Sequence, residues 1–182
     1  TNRAPVIQRS TLKKEYKLPK NTYFQFNIEA TDPDGDALLY MAHQADFNQF
    51  GKARFPSNRP TESNHIEFYQ PYRKNNNTNE WEKVPYKFTG ENETGVFTFW
   101  LGVSDGKIGA YKDGKPHVAL YDVYETKVNI VGGTPFKITS VSKSSAGKYK
   151  RGKEVTINWS VDKNIFGNDS KVRILFSDDY GK

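Results

Sequence analysis

The sequence predicts an all-β protein built from antiparallel sandwiches. Three observations carry this. Apolar side chains recur at every second position in several separate runs, the period of a strand with one buried face. No long stretch carries the i, i+3, i+4 stripe of an amphipathic helix. Glycine, proline, asparagine and aspartate collect between the runs, where chain reversals belong.

Taken in order, the first clear run is TYFQFNIEAT. Phe24, Phe26, Ile28 and Ala30 share one face, and Tyr23, Gln25, Asn27 and Glu29 share the other. LLYMAHQ follows the turn DPDGD. HIEFYQPY and EWEKVPYKFTG supply strand material inside a longer intervening stretch. VFTFWLGVSDG puts Phe97, Phe99, Leu101 and Val103 on one face, and YETKVNIVG does the same with Tyr124, Thr126, Val128 and Ile130. The last runs are EVTINWSV, with Val155, Ile157, Trp159 and Val161 in line, and KVRILFS, with Val172, Ile174 and Phe176. Two clusters follow from these faces. Phe26, Ile28, Phe99, Leu101, Val128 and Ile130 are expected to be buried together, and Ile157, Trp159 and Ile174 to form a second cluster.

Gly132, Gly133 and Pro135 interrupt two strand patterns, as a short linker does. The expected division is therefore residues 1–133 and 134–182. The first domain carries an aromatic-rich insertion at about 45–90, with Phe47, Phe50, Phe55, Phe68, Tyr69, Tyr72, Trp81 and Tyr86. The second has three clear strands. Three strands cannot close a two-sheet core, so this segment is expected to be truncated or to lean on its neighbour.

Composition narrows the function. The chain of 182 residues has no cysteine, which rules out disulfides and thiolate zinc sites. Only 35% of residues are apolar, but aromatics reach 14% and can fill a core. The net charge is +6, yet the lysines are scattered singly. That is a solubilising surface and not a basic face with interleaved stacking residues, so no nucleic-acid partner is expected. No apolar run approaches the roughly 20 residues of a membrane helix. Both termini read as cuts in a longer protein, so the lack of a signal peptide in this sequence says little about secretion.

Certain tracts resemble a known family. APVI, then LPKNTYFQFNIEATDPDGDALLYMAHQ, then FTFWLGVSDGKIG and KVNIVGGTPFKITS, resemble the immunoglobulin-like and cadherin-like accessory modules of large secreted bacterial proteins. They look most like the modules that follow the catalytic domain in reprolysin-like zinc metalloproteases of Bacteroidetes. FKITSVSKSSAGKYKRGKEVTINWSVDKN and KVRILFSDDYGK resemble the next β module there, and also a domain of fungal Ser/Thr-rich wall proteins. The resemblance implies an immunoglobulin-like β-sandwich followed by a partial second one. It also implies a secreted or cell-surface location and a structural or substrate-presenting role beside other domains of a parent protein. The parent's zinc-dependent catalytic centre would lie outside this chain. Those modules commonly carry a Trp where this sequence has Ala42; Trp81 or Trp100 is the expected replacement.

The candidate site is the acidic turn. Asp32, Asp34 and Asp36 alternate through DPDGD, and in an immunoglobulin-like sandwich Asp105 of VSDG lies at the same end. These four are the candidate calcium ligands, since Ca²⁺ accepts about six to eight oxygens in irregular loops. An EF-hand is excluded because His43 occupies the twelfth position, where an acidic ligand belongs. The other reading is a hydrogen-bonded turn whose charge is met by a Lys or Arg or by backbone N–H groups. His43, His65 and His117 show no His-Glu-x-x-His, and there is no Gly-x-Ser-x-Gly. No catalytic residue and no zinc are therefore assigned. The sequons at Asn76, Asn92, Asn158 and Asn168 follow from the Asn-rich composition, and no glycan is assigned to them. The alternative function is a cell-surface carbohydrate-binding or adhesion module, with the rings of 47–86 as its stacking platform.

Overall fold

The computed structural model describes residues 2–46, 55, 59–68, 72–74, 77, 81–83, 94–106, 111–112, 115–116, 118–142 and 151–174. Its strands are β1 (Val6–Ile7), β2 (Glu15–Pro19), β3 (Phe24–Asn27), β4 (Ala30–Thr31), β5 (Leu39–Gln44), β6 (His65–Phe68) and β7 (Tyr72–Lys74). They continue as β8 (Trp81–Lys83), β9 (Gly95–Ser104), β10 (Tyr111–Lys112), β11 (Lys115–Pro116), β12 (Tyr121–Val131), β13 (Lys137–Val141) and β14 (Ile157–Ser160). Among the described residues the helical pieces are a 3-10 turn at Arg9–Thr11 and one short helix, α1 (Lys163–Phe166). The protein is all-β, as its alternation predicts.

The main sheet has the order β2-β12-β9-β5. β12 and β9 run antiparallel over ten residue pairs, and β5 lies antiparallel to β9 on the far side. β2 joins β12 in parallel. Thr126 takes part in that seating: its Oγ1 donates to the Lys13 carbonyl at 2.7 Å. The inward rows are those that alternation assigns. Phe97, Phe99, Leu101 and Val103 on β9 are buried, as are Tyr124, Thr126, Val128 and Ile130 on β12.

A second layer covers this face. TYFQFNIEAT does not form one uninterrupted strand, because its partner changes along its length. As β3 it pairs with β6, and as β4 it pairs with β1 on its other side. The exchange falls between adjacent residues: Ile28 N–H donates to the Asn64 carbonyl at 2.9 Å, and the Glu29 carbonyl accepts Gln8 N–H at 2.8 Å. Phe26, Ile28, Ile66 and Phe68 from this layer join the inward rows in one core. The Phe99 ring lies 5.4 Å from Phe26 and 5.3 Å from Phe68, centroid to centroid.

The expected tryptophan replacement is corrected for Trp100. It stands on the outer face of β9, 42% exposed, because its parity is opposite to that of Phe99 and Leu101. The Trp81 side chain lies outside the described residues. Ala42 is fully buried, and Phe55 is a buried aromatic of the core beside Phe26, Phe68, Phe97 and Phe99. Its ring sits 5.2 Å from both Phe97 and Phe99, and its N–H donates to Gln44 Oε1 at 2.8 Å.

Beyond residue 133, β13 and β14 form an antiparallel pair with a bulge after Ile138. Ile157, Trp159 and Ile174 do come together around one hollow. They do not make a buried core: Trp159 is 44% and Ile174 61% exposed. Val172–Ile174 also forms no strand, and Phe176 lies outside the described residues. The reason is geometric. A two-stranded sheet buries an apolar face only against another layer, and among the described residues none covers this one.

The stretch between the two sets of strands is tied down. Asp162 Oδ2 accepts Thr134 N–H at 3.1 Å, while its Oδ1 caps α1 by accepting Asn164 N–H at 3.0 Å. Phe136 N–H donates to the buried Thr22 hydroxyl at 3.0 Å. Phe136 also meets the ring of Phe166, which packs against the main core. Gly133 has φ +137°, and a Cβ there would lie 2.5 Å from Asp162 Oδ2, so a side chain is excluded on two counts.

Candidate functional site

The acidic turn follows β4. Gly35 adopts φ +75° and closes the reversal by donating its N–H to the Asp32 carbonyl at 3.2 Å. Asp32 Oδ1 accepts the N–H groups of Asp34 and Asp36 at 2.8 and 3.1 Å. This is the side-chain turn that aspartate favours. It folds the chain so that one carboxylate oxygen from each of Asp32, Asp34 and Asp36 lies within 4.8 Å of the others.

The charge of this group is met by Arg3. The Asp34 carboxylate accepts the Arg3 backbone N–H at 2.7 Å, Nε at 2.9 Å and Nη2 at 2.7 Å. The guanidinium also donates to the Pro33 carbonyl at 2.5 Å. A fork of this kind is the stronger form of charge-assisted hydrogen bond. Hydrogen bonding from Arg3 holds the Asp34 carboxyl below the usual aspartate range, and Asp34 in turn raises the guanidinium.

Asp105 does not belong to that group of three. It is buried, and both its oxygens are occupied. Oδ2 accepts the Asn2 amide at 2.6 Å and Oδ1 accepts Leu120 N–H at 3.1 Å. The second bond ties the end of β9 to the approach of β12. Adjacent residues therefore bridge the two acidic elements: Asn2 reaches Asp105 and Arg3 reaches Asp34.

A further carboxylate completes the arrangement. Asp122 Oδ2 accepts Ile7 N–H at 2.9 Å, and its Oδ1 accepts Arg9 Nη2 at 2.6 Å and Val123 N–H at 2.9 Å. Burial pushes this carboxyl up, but the bonds from Ile7 and Arg9 together outweigh it and leave the pKa below the usual value. The sequence carried a signal for Asp122. It shares parity with Tyr124, Thr126 and Val128, so a carboxylate stands in the inward row. The N-terminal strand is thus held by aspartates from the turn, from the end of β9 and from β12.

Three carboxylates offer calcium only part of its coordination shell, and Arg3 already holds Asp34. One feature does suit a cation: Asp32 Oδ2 is shielded from solvent and accepts no hydrogen bond from a described residue. The histidines are dispersed. His43 on β5 contacts Met41 Sδ at 3.2 Å, His65 on β6 contacts Asn27 Oδ1 at 2.6 Å, and His117 lies outside the described residues. Of the rings expected to form a platform, Phe55 and Phe68 are buried. Phe47, Phe50, Tyr69 and Tyr86 lie outside the described residues, as do the side chains of Tyr72 and Trp81.

Compared with family models, curated proteins and solved structures, the chain matches none.

Proposed function

We propose that this chain is a non-catalytic, immunoglobulin-like spacer module that holds neighbouring domains of a secreted bacterial zinc metalloprotease in a set geometry. The observation that carries the reading is the fastening of both approaches to the sandwich. Asp34, Asp105 and Asp122 clasp residues 2–9, and Asp162 and Thr22 clasp residues 134–136. A chain that enters and leaves through fastened strands passes orientation from one side to the other. The immunoglobulin-like part of the reading draws support from strand order: β2-β12-β9-β5 faces a layer of β1, β4/β3 and β6. The metalloprotease parent rests on the tracts that resemble accessory modules.

Spin labels at Lys17→Cys and Lys153→Cys test the spacer, since the chain has no other cysteine to label. The interlabel distance distribution should be narrow, and Asp162→Ala should broaden it. A wild-type distribution already as broad as that variant's would remove the spacer reading.

Within this module Arg3 acts as the resident cation of the acidic turn, with Ca²⁺ as a competitor for the same oxygens. Millimolar Ca²⁺ against chelator should leave the wild-type melting temperature nearly unchanged. In Arg3→Ala the three carboxylates lose their counter-charge, and Ca²⁺ should then raise the midpoint by mass action. A strong rise in the wild type would instead make the turn a calcium site in its own right, with Arg3 displaced.

A second reading, a carbohydrate-binding or adhesion module, is favoured by Trp100. Its indole N–H donates to Glu125 at 3.0 Å, which fixes a half-exposed ring on the outer sheet face. Saturable quenching of that ring by a soluble polysaccharide is the result that would prefer it.

A further inference from the structure

We propose that the hollow beside β13 and β14 is a docking groove for an extended acidic segment of another protein, one bearing an aromatic or branched apolar side chain. Phe136, Ile138, Ile157, Trp159, Val172 and Ile174 give the hollow an apolar lining. Ile138 at 63% and Ile174 at 61% are exposed, and exposed apolar side chains gathered in one patch mark interaction sites. Its volume, about 150 Å³, is below the roughly 300–1,000 Å³ of small-molecule pockets. It suits one large side chain on a strand better than a cofactor. Among the described residues β13 and β14 make a sheet of two, and an extended chain can add to the edge of such a sheet.

The charges select the occupant. Lys137 and Arg173 are the ionised residues of the lining, and both are basic. Among the described residues no carboxylate pairs with either. A second copy of this chain placed face to face would set these cations against their own counterparts, in a molecule whose net charge is already +6. An occupant with carboxylates flanking its apolar anchor meets both demands. It fills the hollow and neutralises the rim, and its approach is steered by the charge of the whole chain.

The probe is a fluorescein-labelled peptide, Asp-Phe-Asp-Phe-Asp, titrated with the unmodified chain and followed by anisotropy. A Lys-Phe-Lys-Phe-Lys peptide serves as the control. Saturable binding is expected, tighter for the acidic peptide by about tenfold or more and weakened by salt. Lys137 and Arg173 are surface residues, so Lys137→Glu with Arg173→Glu should leave the fold intact and invert the preference between the peptides. Trp159→Ala should weaken both interactions. Equal affinity for the two peptides would overturn the proposal, as would a charge reversal without effect. A chain that sediments as a dimer and binds neither peptide would overturn it too, and would assign the face to a second copy.

Discussion

Phe99→Ala is expected to destabilise the protein by about 3–5 kcal/mol, the cost of removing a fully packed aromatic side chain. Phe99 is completely buried at the centre of the inward row of β9. Its ring meets Phe24, Phe26, Phe55 and Phe68 at centroid distances of 6.0, 5.4, 5.2 and 5.3 Å. These neighbours come from β3 and β6 of the covering layer and from Phe55 between β5 and β6, so no single element can shift to refill the space. The loss combines the transferred apolar surface with the cavity left behind. Urea denaturation of the two proteins measures it. A difference below about 1 kcal/mol would mean that the two layers do not meet at this side chain.

Asp122→Ala should cost about 2–3 kcal/mol, because it removes a charged acceptor from three donors at once. The critical one is the N–H of Ile7, a residue only 2% exposed, whose amide would lose its partner. Asp122→Asn keeps one acceptor oxygen and should cost less. The same carboxylate makes the clasp sensitive to acid. Its pKa is lower in the folded protein than the ordinary value near 3.8, and so is that of Asp34. Both groups therefore stabilise the fold above about pH 4 and cease to do so as the pH falls through their folded values. The wild-type melting temperature should drop below pH 4, and Asp122→Ala should flatten part of that drop. A substitution that costs under about 0.5 kcal/mol and leaves the acid profile unchanged would show that the N-terminal strand is held by other means.

Much of the core was legible because the strand period is strict. Once Phe99 points inward, so do Phe97, Leu101 and Val103, and Trp100 has to point out. The same rule places Asp122 in the inward row, although a lone carboxylate near a strand end attracts little notice without its donors in view. Phe55 was not legible. It belongs to no alternating run, and only the folded chain shows its ring between Phe97 and Phe99. The second cluster was half legible. Alternation brings Ile157 and Trp159 to one face, but burial also needs a covering layer, and periodicity carries no information about that.

The acidic turn divides in the same way. The sequence by itself determined that the chain is all-β, which side chains face inward along β9 and β12, and that DPDGD makes a turn crowded with negative charge. Each of these depends on a local rule: the two-residue period of a strand, or the side-chain hydrogen bonds and positive φ of a turn. Tertiary structure alone decided what answers that charge. Arg3 stands 31 residues from Asp34, Asn2 stands 103 from Asp105, and Ile7 stands 115 from Asp122. Charge compensation acts through space over a few ångströms, so its partners are chosen by how the layers fold over one another and not by spacing along the chain.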